Sequence, residues 1–142
     1  IDENDIINLN NMMIESSSNI GTLASKIKDK KMYIDENIVK VITEKKLSDK
    51  VASFALSFTR SYDLKKVENI YHHIGVYAYK VNILEKFINL NQTKNEIEKK
   101  LEQLRALENN LKINVTLAKS SPIGIDTNQD YLALKKIMEY KS

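Results

Sequence analysis

The sequence contains no cysteine, one proline and only three glycines in 142 residues. Without cysteine the chain has neither a disulfide framework nor a thiolate metal site, which excludes the small disulfide-rich secreted folds. No apolar run approaches the roughly 18 residues that a membrane-spanning helix needs, and no signal-peptide pattern opens the chain. We therefore expect a cytoplasmic protein that does not contact a membrane.

The net charge is also small, because 22 basic and 19 acidic residues leave only +3. Lysines alternate with glutamates in stretches such as NEIEKKLEQL, which is typical of a solvated helix face. A nucleic-acid-binding surface would cluster its basic residues, so we expect no nucleic-acid partner. Only Arg60 and Arg105 are arginines. Their planar forks suit carboxylate or phosphate, although an arginine without a special role is an equally good interpretation.

The apolar content of 42% and charged content of 29% indicate one globular domain over residues 1–142 with a real core. Hydrophobic periodicity predicts helices over 5–15, 81–90, 97–111 and 127–138, and strands over 19–27, 37–43, 51–58, 73–79 and 112–118. The second and third strands are expected to form a hairpin over 38–58. Strands that alternate with helices predict the α/β class.

The helix predicted over 97–111 is amphipathic and is expected to end at Asn109-Asn110. Its apolar stripe consists of Ile97, Leu101, Leu104, Leu107 and Leu111. On such a helix Arg105 would pair with Glu102 or Glu108, three residues away on either side.

The stretch HIGVYAYK is unusual because it places a glycine and a histidine inside a strand pattern. Alternation puts His73, Gly75, Tyr77 and Tyr79 on one side of the strand and an apolar face on the other. Glycine inside a strand often marks the close approach of a ligand or of another backbone. The pattern therefore predicts a small polar pocket with Gly75 as its floor and His73 and Tyr77 as its walls. A packed aromatic face with a hydrogen-bonded histidine is the alternative.

Asp126 lies between the last predicted strand and the last predicted helix. Open α/β sheets bind ligands at the carboxyl ends of their strands, where an aspartate can hold Mg²⁺ or position a hydroxyl. Asp126 or Thr127 could equally cap the helix that follows.

Four segments in order carry a resemblance to a known family: ALSFTR over 55–60, HIGVYAYK over 73–80, LEQLRALENNLKI over 101–113 and GIDT over 124–127. Together they resemble the C-terminal part of the 3-deoxy-manno-octulosonate (Kdo) cytidylyltransferases, or CMP-Kdo synthetases. The resemblance runs from about Ile6 to Met138. It implies a three-layer, nucleotide-diphospho-sugar-transferase-like (Rossmann-like) mixed sheet, here an N-terminally truncated portion. The sialic-acid (acylneuraminate) cytidylyltransferases share this type of fold, but H-x-G-x-Y-x-Y with L-E-Q-L-R resembles the Kdo branch more.

The resemblance implies transfer of CMP from CTP to Kdo with release of pyrophosphate, for lipopolysaccharide biosynthesis. It also implies Mg²⁺ as cofactor and a homodimer as the intact enzyme. The anomeric hydroxyl of the sugar would attack the α-phosphorus in line, so the protein would act mainly by positioning and charge stabilisation.

The resemblance also implies roles for six residues. Arg60 would lie near the sugar carboxylate, His73 and Tyr77 would line the sugar site, and Glu102 and Gln103 would contact sugar hydroxyls. Asp126 would be catalytic and would bind the metal. The resemblance gives Arg105 no role at the site.

Two family features are absent from the 142 residues: the basic, glycine-containing loop that holds the CTP phosphates, and the Q-G-D-E-P segment with its metal-binding aspartate. We therefore expect the sugar-binding and dimerisation part of a cytidylyltransferase, without its N-terminal nucleotide-binding part and inactive by itself. Such a part would show an open sheet edge and exposed apolar surface. The alternatives are a fragment of an acylneuraminate cytidylyltransferase and a non-enzymatic interaction module built on the 97–111 helix, which would lack a mixed sheet.

Overall fold

The structure is a computed structural model that describes residues 1–61, 68–119 and 128–141. Its elements, in chain order, are α1 (Glu3–Glu15), β1 (Ile20–Ser25), α2 (Lys31–Ile34), β2 (Lys40–Thr43), β3 (Ser53–Thr59), β4 (Ile70–Tyr79), α3 (Val81–Ile88), α4 (Lys94–Lys99), α5 (Gln103–Glu108), β5 (Ile113–Leu117) and α6 (Asn128–Lys141). All five predicted strands are present, and the α/β class is confirmed. The proposed cap at Thr127 lies outside the described residues. None of the described helices is both long and apolar enough to cross a membrane.

The five strands form one mixed sheet in the order β1-β4-β2-β3-β5. β1 and β5 are parallel and the other pairs are antiparallel, including the predicted β2–β3 hairpin. The open edge expected from the sequence is wrong for the described strands, because β5, which pairs with β1, also pairs with β3 through Val115–Ser53 and Asn114–Phe54, so neither end of the strand order lacks a partner. A mixed sheet also argues against a purely helical interaction module.

Helices pack on both faces of the sheet. Side chains alternate along β1, so Ile20 points into the larger core cluster, which Phe87 of α3 and Leu104 of α5 complete. Leu23 points the other way and packs with Leu9 of α1 in a second cluster. Helix, sheet and helix therefore form three layers, as the resemblance implied.

Apolar side chains are exposed on the outer faces of several helices, as expected from the sequence. Val81 and Ile88 of α3 are 74% and 64% exposed, Ile14 of α1 is 69% exposed, and Met138 of α6 is 64% exposed. These side chains leave apolar surface uncovered by the described residues.

β4 contains an irregularity at Gly75. Its partner β1 pairs Thr22 with Tyr77 but the next residue, Leu23, with Ile74, so two residues of β4 bulge out of the ladder. The predicted alternation of faces survives, because a bulge of two residues preserves the period of two. A Cβ added to Gly75 meets nothing within 4 Å. The described residues therefore do not crowd Gly75, and the close approach predicted there is not made by any of them.

The single helix predicted over 97–111 is wrong, because the chain forms two short helices separated by a turn. Lys100 adopts the left-handed conformation (φ 54°, ψ 47°) and ends α4. The turn buries Leu101 to 2% exposure and Leu104 to 8%, whereas Ile97 stays 59% exposed. A straight helix would keep all three on one stripe, so burial of the later leucines against the sheet favours the break.

Gly21, in contrast to Gly75, lies under α1. A Cβ at Gly21 would stand 2.6 Å from Met13 Sδ and 3.0 Å from both Leu9 Cδ1 and Met12 Cε. We expect Gly21→Val to lower the free energy of unfolding by about 1–3 kcal/mol through overpacking. Gly75→Val, the matched control, should change it by less than about 0.5 kcal/mol. Urea unfolding measures both, and equal losses would show that α1 does not dock on β1 as described.

Candidate functional site

Three of the residues that the resemblance implied for the sugar site line one cavity of about 70 Å³. This tyrosine cavity lies between β4, α3 and α5, and its lining residues are Tyr77, Tyr79, Phe87, Glu102, Gln103, Ala106 and Ile113. The structure therefore brings Tyr77, Glu102 and Gln103 together.

Two local features of the chain build the cavity. The alternation of β4 turns Tyr77 and Tyr79 to the same face. The turn at Lys100 then starts α5 at Gln103, directly beside that face. Gln103 is buried at 9% exposure while Glu102 is exposed, so the amide lies inside and the carboxylate at the rim. Phenol, amide and carboxylate together offer several hydrogen-bond donors and acceptors for a hydroxylated ligand.

An unbroken row of rings runs from the core to this cavity. The ring centroids of Phe58 and His73 are 5.1 Å apart, those of His73 and Tyr77 5.5 Å, those of Tyr77 and Tyr79 5.9 Å, and those of Tyr79 and Phe87 5.9 Å. The packed aromatic face considered as the alternative is therefore present. It is compatible with a pocket, because its last three rings line the tyrosine cavity.

His73 is buried and hydrogen-bonded, and it does not itself line the tyrosine cavity. The hydroxyl of Thr22 donates its one proton to the carbonyl of Val76 at 2.8 Å. The bond of 2.9 Å between Thr22 Oγ1 and His73 Nε2 must then be donated by the imidazole, which leaves Nδ1 as the acceptor nitrogen. Burial, aided by the neighbouring His72, lowers the pKa of His73 from 6.5 to about 4. The ring is therefore neutral at pH 7.

Tyr77 remains a protonated phenol. Burial raises its pKa well above the usual 10.0, and the nearby Tyr79 and Glu102 add to the effect. The pKa of Tyr79 is raised too, chiefly by burial. The inner wall of the tyrosine cavity is thus uncharged at neutral pH, and Glu102 at the rim is the one acidic residue among the described residues that line it.

Arg60 lies away from the tyrosine cavity, and its guanidinium binds main-chain carbonyls. Nε donates to Lys99 O at 3.0 Å, Nη2 to Lys100 O at 2.9 Å, and Nη1 to Glu36 O at 3.1 Å. Three of the five N–H donors of the side chain are thereby in use. Its implied contact with the sugar carboxylate stays a prediction.

Arg105 has a structural role, but its predicted partner was wrong. It pairs with Glu96 of α4 rather than with Glu102 or Glu108: Nη2 lies 2.5 Å from Oε1 and Nε lies 3.0 Å from Oε2. The physical reason is the turn after α4, which brings the two helices side by side. The guanidinium also lies 4.9 Å from the centroid of Phe87, a wall of the tyrosine cavity.

Asp126, the implied catalytic and metal-binding residue, lies outside the described residues. Among residues 1–61, 68–119 and 128–141, no group of three or more His, Cys, Asp or Glu side chains is placed to hold a metal ion. The described residues by themselves therefore do not fit a Mg²⁺ site.

Sequence reasoning missed two residues, one at the tyrosine cavity and one beside Arg60. The periodicity places Phe87 only within the helix predicted over 81–90, although it forms a wall of the tyrosine cavity. The sequence pattern places Lys40 in the strand predicted over 37–43 without indicating that its side chain is fully buried. A lysine flanked by Val39 and Val41 in a short strand was the available signal for that burial.

The comparisons with known proteins agree with this architecture. A family model described as cytidylyltransferase matches residues 1–113. A 3-deoxy-manno-octulosonate cytidylyltransferase of Bartonella tribocorum is 40% identical over 123 residues, covering 87% of this chain and 50% of that protein. The enzyme of the same name from Bartonella quintana is 38% identical over 138 residues, covering 97% of this chain and 56% of its own. The chain thus spans about half the length of the curated relatives it matches.

Among solved structures, the chain resembles CMP:2-keto-3-deoxy-manno-octonic acid synthetase complexed with CTP, with a TM-score of 0.81. The match covers 100% of this chain and 58% of that chain at 23% sequence identity, so it shows the fold alone. The family follows from the family model, which covers well over half of the sequence. The chain belongs to the cytidylyltransferase family.

Proposed function

We propose that this chain forms the acid-sugar-binding part of an enzyme that transfers CMP from CTP to Kdo and releases pyrophosphate. One observation carries the proposal: Tyr77 lines a single cavity with the adjacent pair Glu102 and Gln103, which is distant from it in sequence. The names of the relatives support Kdo as the acceptor, and the solved structure with CTP supports a cytidine nucleotide as the donor.

The chemistry of the tyrosine cavity suits the hydroxyl groups of a sugar. The Tyr77 phenol and the Gln103 amide can each donate and accept hydrogen bonds, while the Glu102 carboxylate accepts only. Ligand sites usually measure about 300 Å³ or more, whereas this cavity measures about 70 Å³. The described residues thus form one wall of the proposed site, and groups outside them would complete it.

His73 contributes to this wall through Tyr77. Its neutral ring is fixed by Thr22 and packs against the phenol, which restricts the Tyr77 side chain to the orientation that faces the cavity. An oriented hydroxyl binds its ligand with a smaller loss of side-chain entropy. The proposed mechanism is therefore one of positioning: the wall holds the acceptor hydroxyl in place for attack on the nucleotide.

We keep Mg²⁺ in the proposal, with Asp126 as one of its ligands. When bound, it would supply positive charge against the phosphates. Asp126 lies outside the described residues, and the described residues contain no group of three or more His, Cys, Asp or Glu side chains that could hold a metal ion. We therefore assign the metal no step in the reaction. Homodimerisation and a cytoplasmic location likewise stay predictions.

The proposal is tested by equilibrium binding of Kdo to this chain by calorimetry, with N-acetylneuraminate as the competing acid sugar. We expect Kdo to bind more tightly, and Tyr77→Phe and Gln103→Leu each to weaken it by about tenfold, the effect of one lost hydrogen bond. Tyr131→Phe on α6, where the ring is 50% exposed, is the matched control and should leave affinity unchanged. Equal loss in all three variants, or tighter binding of N-acetylneuraminate, would refute Kdo recognition by this cavity.

A further inference from the structure

We propose that Arg60 is a positioning residue for the sugar site. Its guanidinium holds the turn between α4 and α5, from which Glu102 and Gln103 reach the tyrosine cavity. The proposal rests on the proposed function only in assigning the sugar to that pair. The role differs from direct contact with the sugar carboxylate, because Arg60 would act through the main chain.

The turn needs an external anchor. The last carbonyls of a helix have no partner within it, and cations are favourable beside them because of the helix dipole. Arg60 supplies both a hydrogen-bond donor and a positive charge. Its Nε and Nη2 donate to the successive carbonyls of Lys99 and Lys100 at 3.0 and 2.9 Å. Lys100 is moreover left-handed, a conformation that is unfavourable for a residue with a side chain. The guanidinium therefore stabilises a turn whose backbone conformation is unfavourable for Lys100.

The position of Arg60 is itself fixed by a second cation, the buried Lys40. The Lys40 ammonium donates to the carbonyl of Arg60 and, at 2.6 Å, to the carbonyl of Asp35. The third bond of the guanidinium, 3.1 Å to Glu36 O, reaches the same loop. Two cations and five carbonyl oxygens thus tie the loop before β2, the end of β3 and the α4–α5 turn into one unit. No carboxylate takes part in these bonds.

Lysine is a poor substitute for Arg60 in this arrangement. Two adjacent carbonyls require the planar fork, whereas an ammonium group is a point charge on a flexible stem. Arg60→Lys therefore keeps the positive charge but removes the planar pair of N–H donors. Arg60→Lys would also weaken direct binding of a sugar carboxylate. The experiment must therefore measure the stability of the α4–α5 turn as well as sugar binding.

The experiment measures amide hydrogen exchange at Leu101 and Leu104, together with Kdo binding, in Arg60→Lys and Arg60→Met. The Leu101 N–H donates to Glu96 O and the Leu104 N–H donates to Leu101 O, both at 3.2 Å, so both report on the turn. The control is Lys94→Met, which removes an exposed cation of α4 that does not touch the turn. Exchange of the Val41 and Val115 amides shows whether the sheet remains intact.

We expect both Arg60 variants to accelerate exchange at Leu101 and Leu104 by about tenfold or more relative to Val41 and Val115, and Kdo affinity to fall in parallel. The control should change neither. Exchange at the turn within about twofold of the wild type in Arg60→Lys would overturn the proposal, and loss of Kdo binding with that turn unchanged would assign Arg60 to the sugar. If the wild type binds no Kdo, the proposed function fails, whereas the exchange rates still decide whether Arg60 holds the turn.

Discussion

Arg105→Leu should lower the free energy of unfolding of this chain by about 3 kcal/mol or more, because it leaves a buried carboxylate without its cation. The Glu96 side chain is 5% exposed and that of Arg105 is 13% exposed. The hydrogen bonds from Arg105 hold the pKa of Glu96 below its usual 4.5, although burial opposes them. The same guanidinium packs on Phe87, so the loss includes contact with a wall of the tyrosine cavity.

Urea unfolding followed by circular dichroism measures this loss, and two further variants locate its cause. Glu96→Leu together with Arg105→Leu removes both charges, and we expect it to recover part of the loss, because no unpaired charge remains. Lys94→Met breaks the exposed Lys94–Glu98 pair (3.9 Å) and should cost less than about 1 kcal/mol. If Arg105→Leu costs no more than Lys94→Met, the Glu96–Arg105 pair does not join α4 to α5.

Acid should destabilise the chain already below about pH 6.5, the ordinary pKa of a histidine. The pKa of His73 falls from 6.5 to about 4 on folding, because burial disfavours the charged ring. Between about pH 6.5 and pH 4, His73 therefore binds a proton in the unfolded chain but stays neutral in the folded chain. The free energy of unfolding is highest above this range and falls as the pH is lowered through it. From about pH 8 to about pH 5, His73 alone should remove about 2 kcal/mol from the free energy of unfolding.

His73→Gln is the matched variant for this pH dependence. Its amide can still donate to Thr22 but does not titrate, so its stability should change much less over the same pH range. His72 keeps a smaller dependence of the same sign, because burial and the neighbouring Lys40 lower its pKa too. Glu96 does not contribute there, since its pKa lies below 4.5. A slope in His73→Gln as steep as in the wild type would show that His73 is not the buried group responsible.

The sequence predicted those parts of the site that depend on local periodicity. Strand alternation alone placed His73, Tyr77 and Tyr79 on one face, and the ring contacts confirm this. Local periodicity does not predict that Tyr77 lies beside Gln103, because this contact depends on packing between β4 and α5, which are distant in sequence. Only the resemblance associated these two residues, and the structure gives the physical reason through the tyrosine cavity.

The break between α4 and α5 shows where periodicity misleads. The apolar spacing over 97–111 fits one helix, and a left-handed lysine at position 100 has no local signature. A usable signal for the start of the first helix was nevertheless present: Thr93 and Glu96 form a capping box, which moves the predicted start from Ile97 to Lys94. The closure of the sheet through two residues of β3 likewise has no pattern that a single sequence displays.

The most direct test of the sugar-site account is an NMR titration of Kdo into the isotopically labelled chain, read at side-chain as well as main-chain signals. The account predicts the largest shifts at the Gln103 side-chain amide and the Tyr77 ring, with smaller ones at Glu102. Ile14 and Met138, on the exposed faces of α1 and α6, should not respond. Saturable shifts confined to other surfaces, with the Gln103 amide and the Tyr77 ring unmoved, would contradict it.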